Sequence, residues 1–206
     1  MFSVSRDMLE AAGTVLPYLG RRRDRIADFL HGQWSPDGGF LDRGGTSDLY
    51  YTVFGIDALL ALGEELPLES LPPYLEKHGN GADLDFMHLT CLARCWTRLP
   101  GTDMPQAVKD NVIERIEAQR TPDGGYNTVR DARHSSVTGN YLAFAAYGDM
   151  GEELPATDRI LESLTALRAT DGGYANERGL ASGTVLATAG ALILQHCLSD
   201  QPNQDA

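Results

Sequence analysis

Three times in this chain an aspartate and two glycines are followed by an aromatic residue: Asp37-Gly38-Gly39-Phe40, Asp123-Gly124-Gly125-Tyr126 and Asp171-Gly172-Gly173-Tyr174. The first two blocks extend backwards almost letter for letter, as Gln33-Trp34-Ser35-Pro36 and Gln119-Arg120-Thr121-Pro122, whereas the third has Leu167 where Gln stood. A proline and a glycine pair cannot continue a helix, so each block reads as a helix end followed by a turn. Recurrence of one such unit is the signature of a repeat protein. The aspartates stand 86 and then 48 residues apart, the first spacing being close to twice the second. One copy should therefore have decayed in between, and Gly79-Asn80-Gly81-Ala82-Asp83 sits where it belongs.

Apolar residues at helical spacing fill the stretches between the turns. A first helix is expected over Ser5 to Leu19, with Met8, Leu9, Ala12, Val15, Leu16 and Leu19 inward, and a second over about Arg22 to Gln33, with Ile26, Phe29 and Leu30 inward. The first turn leads into Asp48 to Leu62, apolar over most of its circumference, with Ser47 or Asp48 as its N-cap. A short helical piece over Leu71 to Lys77 and an apolar one over Asp83 to Leu99 follow. Then come Pro105 to Gln119, Ser135 to Tyr147, Pro155 to about Leu167 and Ala181 to Leu198. Amphipathic helices thus alternate with nearly all-apolar ones, which predicts two layers with the apolar helices inside, built from about four hairpins plus an extra N-terminal helix. The reading is one all-α domain over 1–206, with repeats over 21–198 and a polar, frayed tail over 199–206.

A net charge of −12 argues against nucleic acid as a partner, because phosphate binding needs a basic face. The run Arg21-Arg22-Arg23-Asp24-Arg25 reads as the solvated start of a helix. No apolar run is long enough for a membrane span. Three cysteines, Cys91, Cys95 and Cys197, form no disulfide framework, and no basic stretch with an apolar core opens the chain, so a reducing cytoplasm is expected.

The Asp-Gly-Gly-aromatic block, followed by Ser47-Asp48-Leu49-Tyr50-Tyr51-Thr52 and an apolar helix ending in Leu62-Gly63, resembles the prenyltransferase/squalene-cyclase repeat. It is similar above all to the β subunits of protein prenyltransferases. The resemblance runs from about Arg22 to Leu198; it is specific in the first unit, clear in the third and fourth and weak in the second. It implies an (α/α) toroid with inner helices around an apolar funnel, an isoprenoid diphosphate bound there, and transferase or terpene-cyclase-like chemistry. Closed toroids of this kind use about six hairpins, and ~45 residues per repeat leave room for four here. The ring is then open or incomplete, or a protein partner or second copy completes it as a homo- or hetero-oligomer. Zinc is the cofactor the resemblance implies. Asp48 matches the family's ligand Asp, but Tyr50 stands where its Cys belongs and Tyr51 where its His often falls. A phenol is a poor zinc ligand, so the standard site is not in this unit. A non-catalytic scaffold that keeps the repeat is the other reading.

Aligned by their starts, the inner helices give Asp48-Leu49-Tyr50-Tyr51, Asp85-Phe86-Met87-His88 and Asp131-Ala132-Arg133-His134. A spacing of three puts Asp and His on one helical face, so Asp85, His88, Asp131 and His134 are expected at one rim, as ligands of Zn²⁺ or another divalent ion or as acid–base groups. Helix capping by the aspartates and backbone hydrogen bonds from the histidines are the plainer alternative. Asp48 and Asp85 are the candidate catalytic carboxylates. Asp85 belongs to Asp83-Leu84-Asp85, part of the Asp-x-Asp-Asp with which class II terpene cyclases protonate their substrate, without the final carboxylate. Tyr50, Tyr51, Phe54 and Tyr141 are candidate walls for an isoprenoid. For its diphosphate the basic candidates are Arg94, Arg130, Arg133 and Arg178, with Arg130 and Arg133 favoured because they precede an inner helix whose N-terminus attracts anions. Cys91 and Cys95 read as buried filler.

Overall fold

In the computed structural model, which describes residues 3–199, the chain is all-α apart from one two-residue ladder. The helices are α1 (Val4–Gly13), α2 (Leu16–Leu19), α3 (Arg22–Gly32), α4 (Leu49–Leu62), α5 (Leu71–Glu76), α6 (Phe86–Thr97), α7 (Gln106–Glu117), α8 (Val137–Met150), α9 (Thr157–Thr165) and α10 (Val185–Ser199). Strands β1 (Phe40–Leu41) and β2 (Ser47–Asp48) pair antiparallel between α3 and α4. The tail expected to be polar lies, from residue 200 on, outside the described residues. No described helix is long and apolar enough to cross a membrane.

The three Asp-Gly-Gly turns are built the same way, bond for bond. Ser35, Thr121 and Ala169 each donate their N–H to the carbonyl of the second glycine, at 2.8, 2.9 and 2.8 Å, and accept from the first glycine. The first glycine has φ of 100°, 91° and 90° in the three copies, a region closed to most side chains. Its neighbour is needed for a different reason: a Cβ on Gly125 would stand 2.5 Å from Asn140 Oδ1 and 2.6 Å from Ser135 Cβ. Beyond the turn, the N–H of Phe40, Tyr126 or Tyr174 donates to a side-chain oxygen on the following helix: Thr52 at 2.9 Å, Asn140 at 2.7 Å, Thr188 at 2.9 Å. The turn carboxylates reach the residue just before that helix's cap, so Asp37 accepts from the Ser47 hydroxyl at 2.5 Å, Asp123 from the Ser135 N–H at 3.1 Å and Asp171 from the Gly183 N–H at 3.1 Å. In the expected decayed copy part of this pattern survives: His78 accepts from the Gly81 N–H at 2.9 Å and Asn80 Oδ1 from the Ala82 N–H at 3.1 Å, but Leu89 stands at the position of Thr52 and offers no side-chain acceptor.

Within the span 1–206 the contacts gather into two compact units, Met1–Val112 with Gly148–Glu152, and Ile113–Tyr147 with Glu153–Ala206. In the first, α4 is the hub: α1, α3, β1 and α6 all pack on it. Its Leu49, Val53, Ile56, Leu59 and Leu62 are buried, and its other end is closed by Gly63 in the left-handed conformation. Charged groups also tie this unit together. Arg98 donates to Asp57 at 2.7 Å and to the Ser5 hydroxyl at 2.5 Å, Arg94 pairs with Asp57, and Asp149 accepts from Ser3 at 2.7 Å and from Ser5. In the second unit α9 packs on α10. There Glu117 of α7 accepts from the hydroxyls of Tyr126 and Tyr147, at 2.7 and 2.8 Å, and pairs with Arg120.

The N-terminal helices depart from expectation. The single helix expected over Ser5 to Leu19 is broken at Thr14, and Pro17 sits at the start of a separate turn, where its lack of an N–H is harmless. Met8, Ala12, Val15, Ile26 and Phe29, expected inward, are exposed; Val4, Ser5 and Ala27 are the buried residues of α1 and α3. An apolar stripe says that a face is coverable, not that the chain covers it.

Asp123 also accepts from the hydroxyls of Thr121 (2.5 Å) and Ser135 (3.2 Å) and from Arg178 (2.5 Å). Removing it strands a half-buried N–H and a guanidinium together. D123A is expected to lower stability by about 2–3 kcal/mol, read from the shift in urea unfolding midpoint.

Candidate functional site

Asp48 caps α4 with one carboxylate oxygen, accepting from Tyr50 N–H at 2.9 Å and Tyr51 N–H at 3.2 Å. Asp85 caps α6 in the same way, accepting from His88 N–H at 2.8 Å. The imidazole of His88 lies between the two caps: Nδ1 is 2.9 Å from Asp85 Oδ1 and Nε2 is 3.1 Å from Asp48 Oδ2. The packing of α4 on α6 thus joins the two candidate catalytic carboxylates through one histidine, although they are 37 residues apart in the chain. Burial opposes the charge on His88, but hydrogen bonds and the negative charge of Asp85 and then Asp48 outweigh it and raise its pKa. Burial likewise works against ionisation of Asp85, yet the bonds from His88 hold its carboxyl below the usual range.

Beside this edge, Tyr50, Tyr51 and Phe54 stand 41%, 36% and 50% exposed on a helix otherwise sunk in the core. Tyr50 meets Tyr51 and Phe54 edge to face, with ring centroids 5.9 and 5.0 Å apart. One turn beyond His88, Cys91 is buried and its thiol is pushed up to about 12 by that burial; Cys95, fully buried, is higher than usual for the same reason. Both are thiols at neutral pH and act as core residues, as expected.

The other proposed ligands are placed differently. Asp131 and His134, expected at the start of an inner helix, lie in the loop before α8, and Asp131 sits at φ 59°. The helix begins at Val137 behind Ser136, whose hydroxyl accepts from Gly139 N–H at 3.0 Å. Ser136, not Asp131, is therefore the counterpart of Asp48 and Asp85, and Thr184, accepting from Ala187 N–H at 3.2 Å, is the fourth member. The misalignment is five residues, and Asp131 and His134 share no helical face. His134 has Asp123 at 4.0 Å as its acidic neighbour. Among the described residues no three of His, Cys, Asp and Glu are gathered as metal ligands. The residues do not fit a zinc ion: the imidazole itself fills the space between Asp48 and Asp85, and the nearby sulfur is a protonated thiol.

Of the four basic candidates, Arg94 is bound by Asp57 and Arg178 by Asp123. Arg130 and Arg133 are exposed and make no ion pair among the described residues. Their loop borders a cavity of about 430 Å³ in the second unit, lined by Asn127, Thr128, Val129, Ala132, Ser136, Thr138, Asn176 and Glu177. Tyr141 is half-buried against α10, where a Cβ on Gly190 would stand 3.9 Å from it. Sequence reasoning missed the Asp57–Arg98–Asp149 network, whose signal was a lone aspartate inside an apolar helix and two arginines four apart on the next. Neither a protein-family model nor a curated protein matches this chain.

His88 has a folded pKa above its ordinary value of about 6.5, so its contribution to stability is present below that value and is lost as pH rises through the raised one. As pH rises above about 6.5 the wild type should lose stability relative to H88Q, which cannot ionise. Urea midpoints of both proteins across this range check it; parallel profiles would contradict the bridge.

Proposed function

We propose that this is a prenyltransferase-like helical-repeat protein of the (α/α)-toroid type, in which an isoprenoid-type ligand lies on the aromatic face of α4. The observation that carries the reading is the exposed trio Tyr50, Tyr51 and Phe54 next to the Asp48–His88–Asp85 bridge. Three rings on one helix offer an apolar surface of the size of a few isoprene units, and such faces also stabilise positive charge. His88, held between two carboxylates that raise its pKa above the ordinary value, is the group we assign to acid–base work. Arg130 and Arg133, two exposed cations of the second unit without an acidic partner among the described residues, are proposed separately as an anion-binding pair. In this reading the protein works without the family's Asp-x-Cys zinc pair. An open or completed ring of hairpins belongs to the same proposal.

Titration of intrinsic fluorescence with farnesyl diphosphate and with uncharged farnesol tests it. Both are expected to bind saturably, and Y50A/F54A should weaken both by about tenfold or more, corresponding to about 1.4 kcal/mol. Absence of saturable binding by the wild type would favour a non-catalytic scaffold instead.

A further inference from the structure

The caps Asp48, Asp85, Ser136 and Thr184 put the four apolar helices in one register. At the first position after the cap, Leu49, Phe86 and Val137 are no more than 5% exposed, whereas Val185 is 85% exposed. At the eighth, Ile56, Ala93 and Phe144 are again no more than 5% exposed, and Leu192 is 55% exposed. At the fifth, Val53 and Thr90 are buried and Tyr141 half-buried, but Ala189 is exposed. A stripe that is core on α4, α6 and α8 therefore continues on α10 as bare apolar surface. What covers this stripe is visible inside the second unit. Gly190 of α10 lies over the first and fifth positions of α8, where a Cβ on it would stand 3.2 Å from Val137 and 3.9 Å from Tyr141. For α8 the cover is the next apolar helix, α10.

A second bare apolar surface lies on the leading helices α1 to α3. Tyr18 is 83% exposed, Phe29 63% and Met8 59%, with Val15 and Ile26 also open. The leading segment differs in charge from the rest of the chain. Residues 1–32 carry five Arg against four Asp and Glu, while residues 33–206 carry 12 Lys and Arg against 25 Asp and Glu. The leading helices are thus a segment of an acidic chain whose charge favours contact with the rest of a second copy.

We infer that α10 of one molecule seats the leading helices of a second copy, head to tail, using the stripe of Val185, Ala189 and Leu192 as α8 uses its equivalent. The contact is heterologous, since two different surfaces meet, so it extends or closes according to the rotation between copies. It uses none of the residues assigned to the ligand, so the two proposals stand or fall separately.

Mass in solution of the full chain, by light scattering or sedimentation over rising concentration, tests the contact. The wild type should exceed its 22.4 kDa monomer mass, in a concentration-dependent way. V185E/L192E and, separately, Y18E/F29E should stay monomeric with unchanged helical circular dichroism, because all four positions are exposed in the single chain. Mixed in equal amounts, these two variants retain one intact surface of each kind and should form a dimer that grows no further. A wild type that stays monomeric throughout overturns the inference. So does a V185E/L192E protein that still assembles by itself, or a mixture that remains monomeric.

Discussion

Each hairpin with an intact turn depends on one carboxylate. In the best-buried case, Asp123 takes up the N–H and hydroxyl of Ser135, the hydroxyl of Thr121 and the guanidinium of Arg178. An apolar helix such as α8 gives the chain little to choose between its faces, so its start and rotation have to be set by something polar. The carboxylate fixes the residue before the cap, and the aromatic N–H fixes a side chain one turn further in, through Asn140, Thr52 or Thr188. Two directional bonds, about a helical turn apart, determine both the axial position and the rotation of the helix, which hydrophobic burial cannot do because it has no direction. The glycines follow from this: the chain has to come close enough for those bonds, and a Cβ on Gly125 would occupy the space of Asn140.

Where the turn has decayed, polar anchoring is taken over by other groups. The α6 helix lacks the aromatic N–H bond, and is held to α4 at one end by His88 between Asp48 and Asp85 and at the other by Arg94 and Arg98 on Asp57. Arg98 and Asp149 are nearly enclosed, so breaking one partner would leave a charge without solvent or counterion. Both ends of the α4–α6 pair thus carry charge-assisted bonds, with leucines, cysteines and a tryptophan packed between. With the polar anchoring placed at the two ends of the pair, Tyr50, Tyr51 and Phe54 of α4 are large and exposed.

How far the site could be read in the sequence depended on whether it lay within one helix or between two. Asp48 and Asp85 as caps, and Asp85 with His88 on one face, follow from a spacing of three residues. That His88 would also reach Asp48 required the crossing of α4 and α6. The placement of Asp131 and His134 failed because Asp-x-x-His looked like the preceding helix start, while the link after the Asp123 turn is longer than that after Asp37 and the cap is a serine. Asn140, four residues after Ser136 as Thr52 is after Asp48, carried the right register. The charge network of Asp57, Arg98 and Asp149 joins residues far apart in the chain and had no local signature beyond charges at apolar positions.

The sequence by itself determined the local units: the three turns, the helices between them to within a few residues, and the alternation of amphipathic with apolar helices. These rest on backbone conformation and on side-chain period, both properties of a few adjacent residues. Only the tertiary structure decided which apolar faces are covered, which cations are already paired and which carboxylates meet. The stripe of α10 and the stripe of α8 are alike in sequence, and one is core while the other is surface, because burial is set by the neighbour that packs there.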